Sequence, residues 1–208
     1  RGISELRDLV PADYCTRAAE LILANTGTIL ITTGFYILSA GAPETDGPPG
    51  AIAIGVGLER LGYKVKYVAD EHSSNLLRPY VAESTDVIDF PITTLPKSVQ
   101  YAEEILNTEN PSVLISIERC AAAADGLYRN MRDLDISDRT AKVDLLFDMH
   151  SKTIGIGDGG NEIGLGNVID GVAKSETLVS YPAISKVTEL IIASVSNWGG
   201  YGLLAGLS

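Results

Sequence analysis

Cysteine is nearly absent from this sequence: Cys15 and Cys120 stand far apart, and neither belongs to a C-x-x-C pair. That spacing argues against a disulfide framework or a thiolate zinc site and fits the reduced thiols of a cytosol. Histidine is equally rare, and neither His72 nor His150 has a His or Cys at metal-ligand spacing, so zinc is not expected. No serine sits in a G-x-S-x-G elbow. Basic residues are in deficit, 16 Lys and Arg against 27 Asp and Glu, for a formal net charge of -11. Such a charge disfavours nucleic-acid backbones and anionic membrane surfaces as partners. No apolar run approaches the roughly 20 residues of a membrane span, and the first residues lack the order of a secretory signal. Internal repeats, low-complexity tracts and linkers are missing too. These absences predict a cytoplasmic protein acting on small polar molecules or cations, with homo-oligomer formation left open.

What the chain does have is 45% apolar residues and 21 glycines in 208 positions, enough for residues 1–208 to form a single α/β domain. Apolar spacing predicts a helix over 11–24, then a β-branched strand over 28–33 that ends at Gly34. The loop 41–50 carries three prolines and is expected to lack regular structure. A helix over 51–61, capped by Gly62, and a strand over 64–68 complete a βαβ unit. Further helices are expected over 75–82, 97–106, 137–147 and 162–172. Strands are expected over 86–90, 113–117, 152–156 and 189–195, followed by a turn over 196–200. This alternation predicts a doubly wound, mostly parallel sheet of about six strands with helices on both faces, a Rossmann-like arrangement. Residues 202–208 read as the start of an apolar helix without a polar stop, so the natural chain is expected to continue past Ser208.

Ligands of parallel sheets bind beyond the carboxyl ends of the strands, which places loops 34–50, 118–130, 157–167 and 197–202 on one edge. Six glycines crowd residues 154–167 around Asp158, Asn161 and Glu162. Gly155 to Gly160 matches G-x-G-x-x-G in form, but Asp158 sets a carboxylate where a pyrophosphate would approach. A tight turn, a dinucleotide cradle and a binding loop all remain open, and the glycine density favours the last. Glu44 and Asp46 lie in the proline-stiffened loop; with Asp158 and Glu162 they offer the oxygen ligands a hard cation prefers. Arg119, beside Glu118, has the planar fork that grips a carboxylate, or else forms an internal ion pair. Asp125 adds charge to the same loop. Trp198, after Asn197, either walls a pocket or packs.

Thr33-Gly34-Phe35, Pro43-Glu44-Thr45-Asp46-Gly47-Pro48, Ser116-Ile117-Glu118-Arg119, Ala124-Asp125-Gly126 with Asn130-Met131-Arg132, the glycine loop through Gly164, and Ser196-Asn197-Trp198-Gly199-Gly200-Tyr201 occur in that order. Together they resemble the D-glutamate cyclase C-terminal domain family, in its stand-alone microbial form. Where that family commonly carries a Pro or Gly after the Glu-Arg pair, this chain has Cys120 and Ala121 to Ala124. The resemblance implies a lyase of amino-acid metabolism that converts D-glutamate to 5-oxo-D-proline and water. On that reading Asp158 or Glu162 is the base toward the ammonium, and Gly159, Gly160 and Asn161 are oxyanion donors. Arg119 takes a substrate carboxylate, and Glu44 and Asp46 grip the amine or a divalent cation such as Mg²⁺ or Mn²⁺. Thr33, Gly34, Glu118, Asp125, Asn197 and Trp198 complete the expected substrate-binding set. No cofactor beyond such a cation is expected. The alternative is a module that binds an amino acid, nucleotide or phosphate without turnover.

Overall fold

The computed structural model describes residues 2–208. After a 3-10 segment over Gly2–Leu9 come α1 (Tyr14–Leu23) and β1 (Thr28–Gly34). A small antiparallel hairpin of β2 (Tyr36–Ile37) and β3 (Ala42–Pro43) leads to α2 (Pro48–Arg60), β4 (Lys64–Ala69) and α3 (Glu71–Leu77). The chain continues through β5 (Val87–Asp89), α4 (Leu95–Glu109), β6 (Val113–Arg119), α5 (Asp144–Asp148) and β7 (Thr153–Gly157). It closes with α6 (Ile169–Val172), β8 (Glu189–Ile192) and α7 (Ser196–Leu207).

Six strands form one parallel sheet in the order β5-β4-β1-β6-β7-β8. The fold is therefore the expected doubly wound α/β arrangement. From β1 the chain runs outward to β4 and β5, then returns across β1 to build β6, β7 and β8 on the other side. The order reverses between β1 and β6, and at such a switch point the loops diverge and leave a crevice.

Both faces of the sheet are covered, which is why its central strands are apolar without alternation. Ile29, Ile31, Val113, Ile115 and Ile117 pack toward α1, α2 and α7 with Ala18, Ile22, Ile54, Leu58 and Leu203. Leu30 and Leu114 face the opposite way, against Ala102 and Ile105 of α4 and Leu146 and Phe147 of α5. Full burial of one such aliphatic side chain contributes about 1.5–3 kcal/mol.

Several boundaries depart from the sequence reading for identifiable reasons. Loop 41–50 is partly regular: Ala42–Pro43 pairs as a strand, and α2 starts at Pro48, where a first-turn proline forfeits no intrahelical donor. Gly62 does follow α2 with φ 90. α3 begins at Glu71, with the Asp70 side chain capping the Ser73 amide, instead of at residue 75. The helix expected over 137–147 breaks into a 3-10 turn at Ser137–Arg139 and α5, because the Ala141 amide and carbonyl are both engaged by buried charges, Asp70 and Arg119. That expected over 162–172 is a 3-10 turn at Leu165–Val168 followed by α6, since Gly164 sits at φ 102. Residues 196–200 are the first turns of α7, not a free turn. Their glycines serve packing: a Cβ on Gly199 would meet Ile156 Cγ2 at 2.6 Å.

Candidate active site

The site stands at the switch point. The β1–β6 register shifts at Thr33/Gly34, so Gly34 pairs with Arg119 and Glu118 is squeezed out of regular pairing at φ 47. A left-handed backbone at a bulky residue costs on the order of 1–3 kcal/mol and persists only where its surroundings enforce it. Arg119 provides much of that enforcement. Only 1% exposed, it places Nη1 2.6 Å from Asp70 Oδ2 and donates to the carbonyls of Gly34 at 3.1 Å and Ala141 at 2.8 Å. Burial pushes the Asp70 carboxyl up, but the Arg119 charge and hydrogen bond, aided by the Ser73 and Ala141 amides, hold it below its ordinary value. Arg119 is thus the internal ion pair, and the expected grip on a substrate carboxylate is not available to it.

Asp46 is fixed from the neighbouring loops. Its Oδ1 accepts from the amides of Gly47 at 2.9 Å and Asn197 at 3.0 Å, and its Oδ2 from the Ser196 amide at 3.2 Å. Asn197 returns the tie, its Oδ1 accepting from Gly47 at 3.1 Å and Gly50 at 2.7 Å. Asn197 therefore clamps the acidic loop onto the start of α7. Ser196 Oγ donates to Glu118 Oε2. Carboxylate oxygens of Asp46, Glu118 and Asp158 all lie within 4.8 Å of one another. Two ionised carboxylates at that separation repel by about 3.5 kcal/mol at an effective dielectric of 20. Glu118 absorbs this conflict: burial first, then the charges of Glu162, Asp158 and Asp46, push its carboxyl well above the ordinary range against the Ser196 hydrogen bond. Burial and like charge therefore favour the neutral form of Glu118 beside two aspartates.

The glycine loop is organised from within. Glu162, fully buried, folds back so that Oε1 accepts from the amides of Asp158 at 3.0 Å and Gly159 at 2.6 Å, and Oε2 from Gly160 at 2.7 Å. Three successive amides converging on an anion form a nest, the arrangement that elsewhere cradles phosphate. Here the chain's own carboxylate fills it. Burial raises the Glu162 pKa and the amides pull against that rise. This geometry replaces two expectations: Glu162 anchors the loop instead of facing a substrate amine, and the Gly159 and Gly160 amides already have an acceptor. The disfavoured pyrophosphate cradle is likewise filled. Gly160 adopts φ 104, and a Cβ on Gly159 would meet Met131 Sδ at 2.3 Å. Asn161 is buried, donating from Nδ2 to the Arg129 carbonyl at 2.8 Å, while its Oδ1 has no partner.

A cleft of about 220 Å³ opens on Glu118, bordered by Phe35, Glu44, Asn130, Met131 and Arg132. That is smaller than the ~300–1,000 Å³ typical of drug-sized ligands and suits a small amino acid. A larger groove of about 540 Å³, lined by Pro48, Pro49, Ile52, Leu76 and Tyr80, is nearly all apolar and lies away from the carboxylates. The chemistry points to the smaller cleft. Of the other expected residues, Thr33 is buried beside Gly47, with Oγ1 unpartnered. Asp125 is half-exposed and paired with Arg129 at 2.5 Å, and Trp198 is 63% exposed. Neither Asp125 nor Trp198 borders the cleft. Sequence reasoning passed over Ser196, Met131 and Arg132 as site residues. The only signal for the last two was their place in the Asn130-Met131-Arg132 motif.

A family model described as "D-glutamate cyclase-like, C-terminal" matches residues 1–208. The human protein "D-glutamate cyclase, mitochondrial" is 35% identical over 91% of this chain, which spans only 34% of that relative's length. With the match running from the first residue to the last, the chain belongs to the D-glutamate cyclase-like, C-terminal family.

Proposed function

We propose that this protein closes D-glutamate into 5-oxo-D-proline with loss of water. The observation that carries the reading is the trio of Asp46, Glu118 and Asp158, three carboxyl groups with oxygens within 4.8 Å of one another, of which Glu118 is pushed toward its neutral form and borders an amino-acid-sized cleft. Ring closure forms a bond from the α-nitrogen to the carbon of the γ-carboxyl group and breaks one carbon–oxygen bond of that carboxyl group. Two protons leave the ammonium, and both end on the departing oxygen as water. Asp158 accepts each of the two protons in turn from the nitrogen and Glu118 delivers each to the leaving oxygen, Glu118 being reprotonated from Asp158 between transfers, so the pair moves protons in the direction the reaction needs. Folding the substrate so that the amine meets the carbon of the γ-carboxyl group lowers the barrier further, by up to about 7–11 kcal/mol in favourable intramolecular cases. The choice of D-glutamate rests on the relative's name and on the family.

The trio needs positive charge, and a divalent cation is the second way to provide it. Asp46, Glu118 and Asp158 are oxygen donors within 4.8 Å, and Asp46 is pre-oriented by three amides, so the residues fit Mg²⁺ or Mn²⁺. When bound, such an ion would polarise the γ-carboxyl group. Incubating the protein with D- and L-glutamate, after chelation and after adding back Mg²⁺ or Mn²⁺, separates the readings. Product from D-glutamate after chelation supports proton transfer alone, and product only with metal supports the cation. Tight binding without product would make the protein a glutamate-binding module.

A further inference from the structure

A site built on Asp46, Glu118 and Asp158 has a charge problem, because glutamate brings two carboxylates of its own. Arg119 cannot solve it, being buried against Asp70 and two carbonyls. Arg129 is also engaged, its guanidinium forked onto Asp125 and lying 4.1 Å from the Tyr181 ring centre. Lys142 donates to the Thr93 carbonyl. Among the described residues that border the cleft, Arg132 is the one cation, and its guanidinium enters no ion pair with a described residue.

The arm that carries Arg132 is preorganised. Asn130 Oδ1 accepts from the amides of Arg132 at 2.9 Å and Leu134 at 3.1 Å, and the Asn130 amide donates to the Leu134 carbonyl at 3.0 Å. Met131 occupies the space a side chain on Gly159 would need, so the arm rests on the loop that carries Asp158. Arg132 and Glu118 therefore border one cleft, and the arm that carries Arg132 is braced against the loop of Asp158.

We propose that Arg132 is the specificity-determining residue of this site, holding the α-carboxylate of the substrate while its γ-carboxyl group meets Glu118. The assignment rests on the cyclase reading for its substrate and on the cleft for its geometry. It makes the ligand an α-amino dicarboxylate and disfavours 4-aminobutanoate, which has the same amine and γ-carboxyl spacing but no α-carboxylate. The planar guanidinium matches a carboxylate in two parallel hydrogen bonds, a geometry lysine does not reproduce.

The test measures binding of D-glutamate and 4-aminobutanoate by calorimetry, and turnover of D-glutamate by mass spectrometry, for the parent chain, Arg132→Lys and Arg132→Gln. The parent should bind D-glutamate at least about tenfold more tightly than 4-aminobutanoate; Arg132→Gln should bind both alike, and Arg132→Lys should fall between. Thermal melting should be unchanged, since the side chain is exposed. A preference for D-glutamate that survives in Arg132→Gln, or its absence from the parent, overturns the assignment. Turnover without that preference sinks the Arg132 role and leaves the cyclase reading standing. Preference lost on Arg132→Gln in a parent that never forms 5-oxoproline does the reverse.

Discussion

Replacing Asp70 by asparagine leaves the Arg119 charge stranded in the core, and the cost can be worked from its surroundings. Arg119 would keep the Gly34 and Ala141 carbonyls but lose its anion 2.6 Å away. Removing one partner of a buried pair costs about 3–5 kcal/mol, and the two retained carbonyls place Asp70→Asn near the lower end, about 3 kcal/mol. Asparagine can still cap the Ser73 amide; Asp70→Ala cannot, which adds about 1 kcal/mol. For a chain of this size about 3 kcal/mol corresponds to a fall in Tm of roughly 6–12 °C. Urea unfolding followed by circular dichroism at neutral pH gives the comparison directly. The pH dependence adds a second check. Because the folded-state pKa of Asp70 is depressed, its contribution is complete above the unfolded value and is lost as pH falls through the folded one. Asp70→Asn should therefore flatten the acid limb of the stability profile. A loss below about 1 kcal/mol, with an unchanged denaturant slope, would refute the claim that Arg119 is a structural strut.

Glu162→Gln should destabilise by about 2–4 kcal/mol, because an amide NH₂ would confront one of the three loop amides; any folded enzyme should keep the parent shape of its pH–rate curve. A changed curve with no stability loss would return Glu162 to the role of base. For Glu118 the sign is opposite to that of Asp70. Its folded-state pKa is raised, so its contribution is complete below the unfolded value and fades as pH rises through the folded one. Activity should fall over that same upper range as the acid ionises, and Glu118→Gln should lose less stability at high pH than the parent. In the core, Ile115→Ala should cost about 2–5 kcal/mol by urea titration, since Ile115 is completely buried in the sheet centre.

The sheet was legible because its strands are short apolar runs bounded by glycine and polar turns, as in residues 28–33 and 113–117. What misled was local composition with a distant cause. Gly199 and Gly200 read as a turn, yet they are helical glycines pressed against Ile156 and Ile117. Residues 137–147 have helical spacing, but the Ala141 backbone is claimed by Asp70 and Arg119, which lie far away in sequence. The acidic loops around Asp46, Glu118 and Asp158 were found from the rule that ligands bind beyond the carboxyl ends of parallel strands. The arginines were not separable that way: Arg119 ends and Arg132 follows the same strand, and only packing determines which is buried and which borders the cleft. Nor does a glycine-rich pattern disclose that Glu162, a few positions on, fills the anion nest its own amides create.

The central claim is that Glu118 and Asp158 move the protons of ring closure. Mass spectrometry of D-glutamate incubated with the parent, Glu118→Gln and Asp158→Asn, each checked for D-glutamate binding by calorimetry, tests it most directly. The account predicts 5-oxo-D-proline from the parent and a loss of turnover of at least about 10²-fold in both variants, with binding kept within a few-fold. Undiminished turnover in either variant, or a parent that binds D-glutamate and never cyclises it, would contradict it.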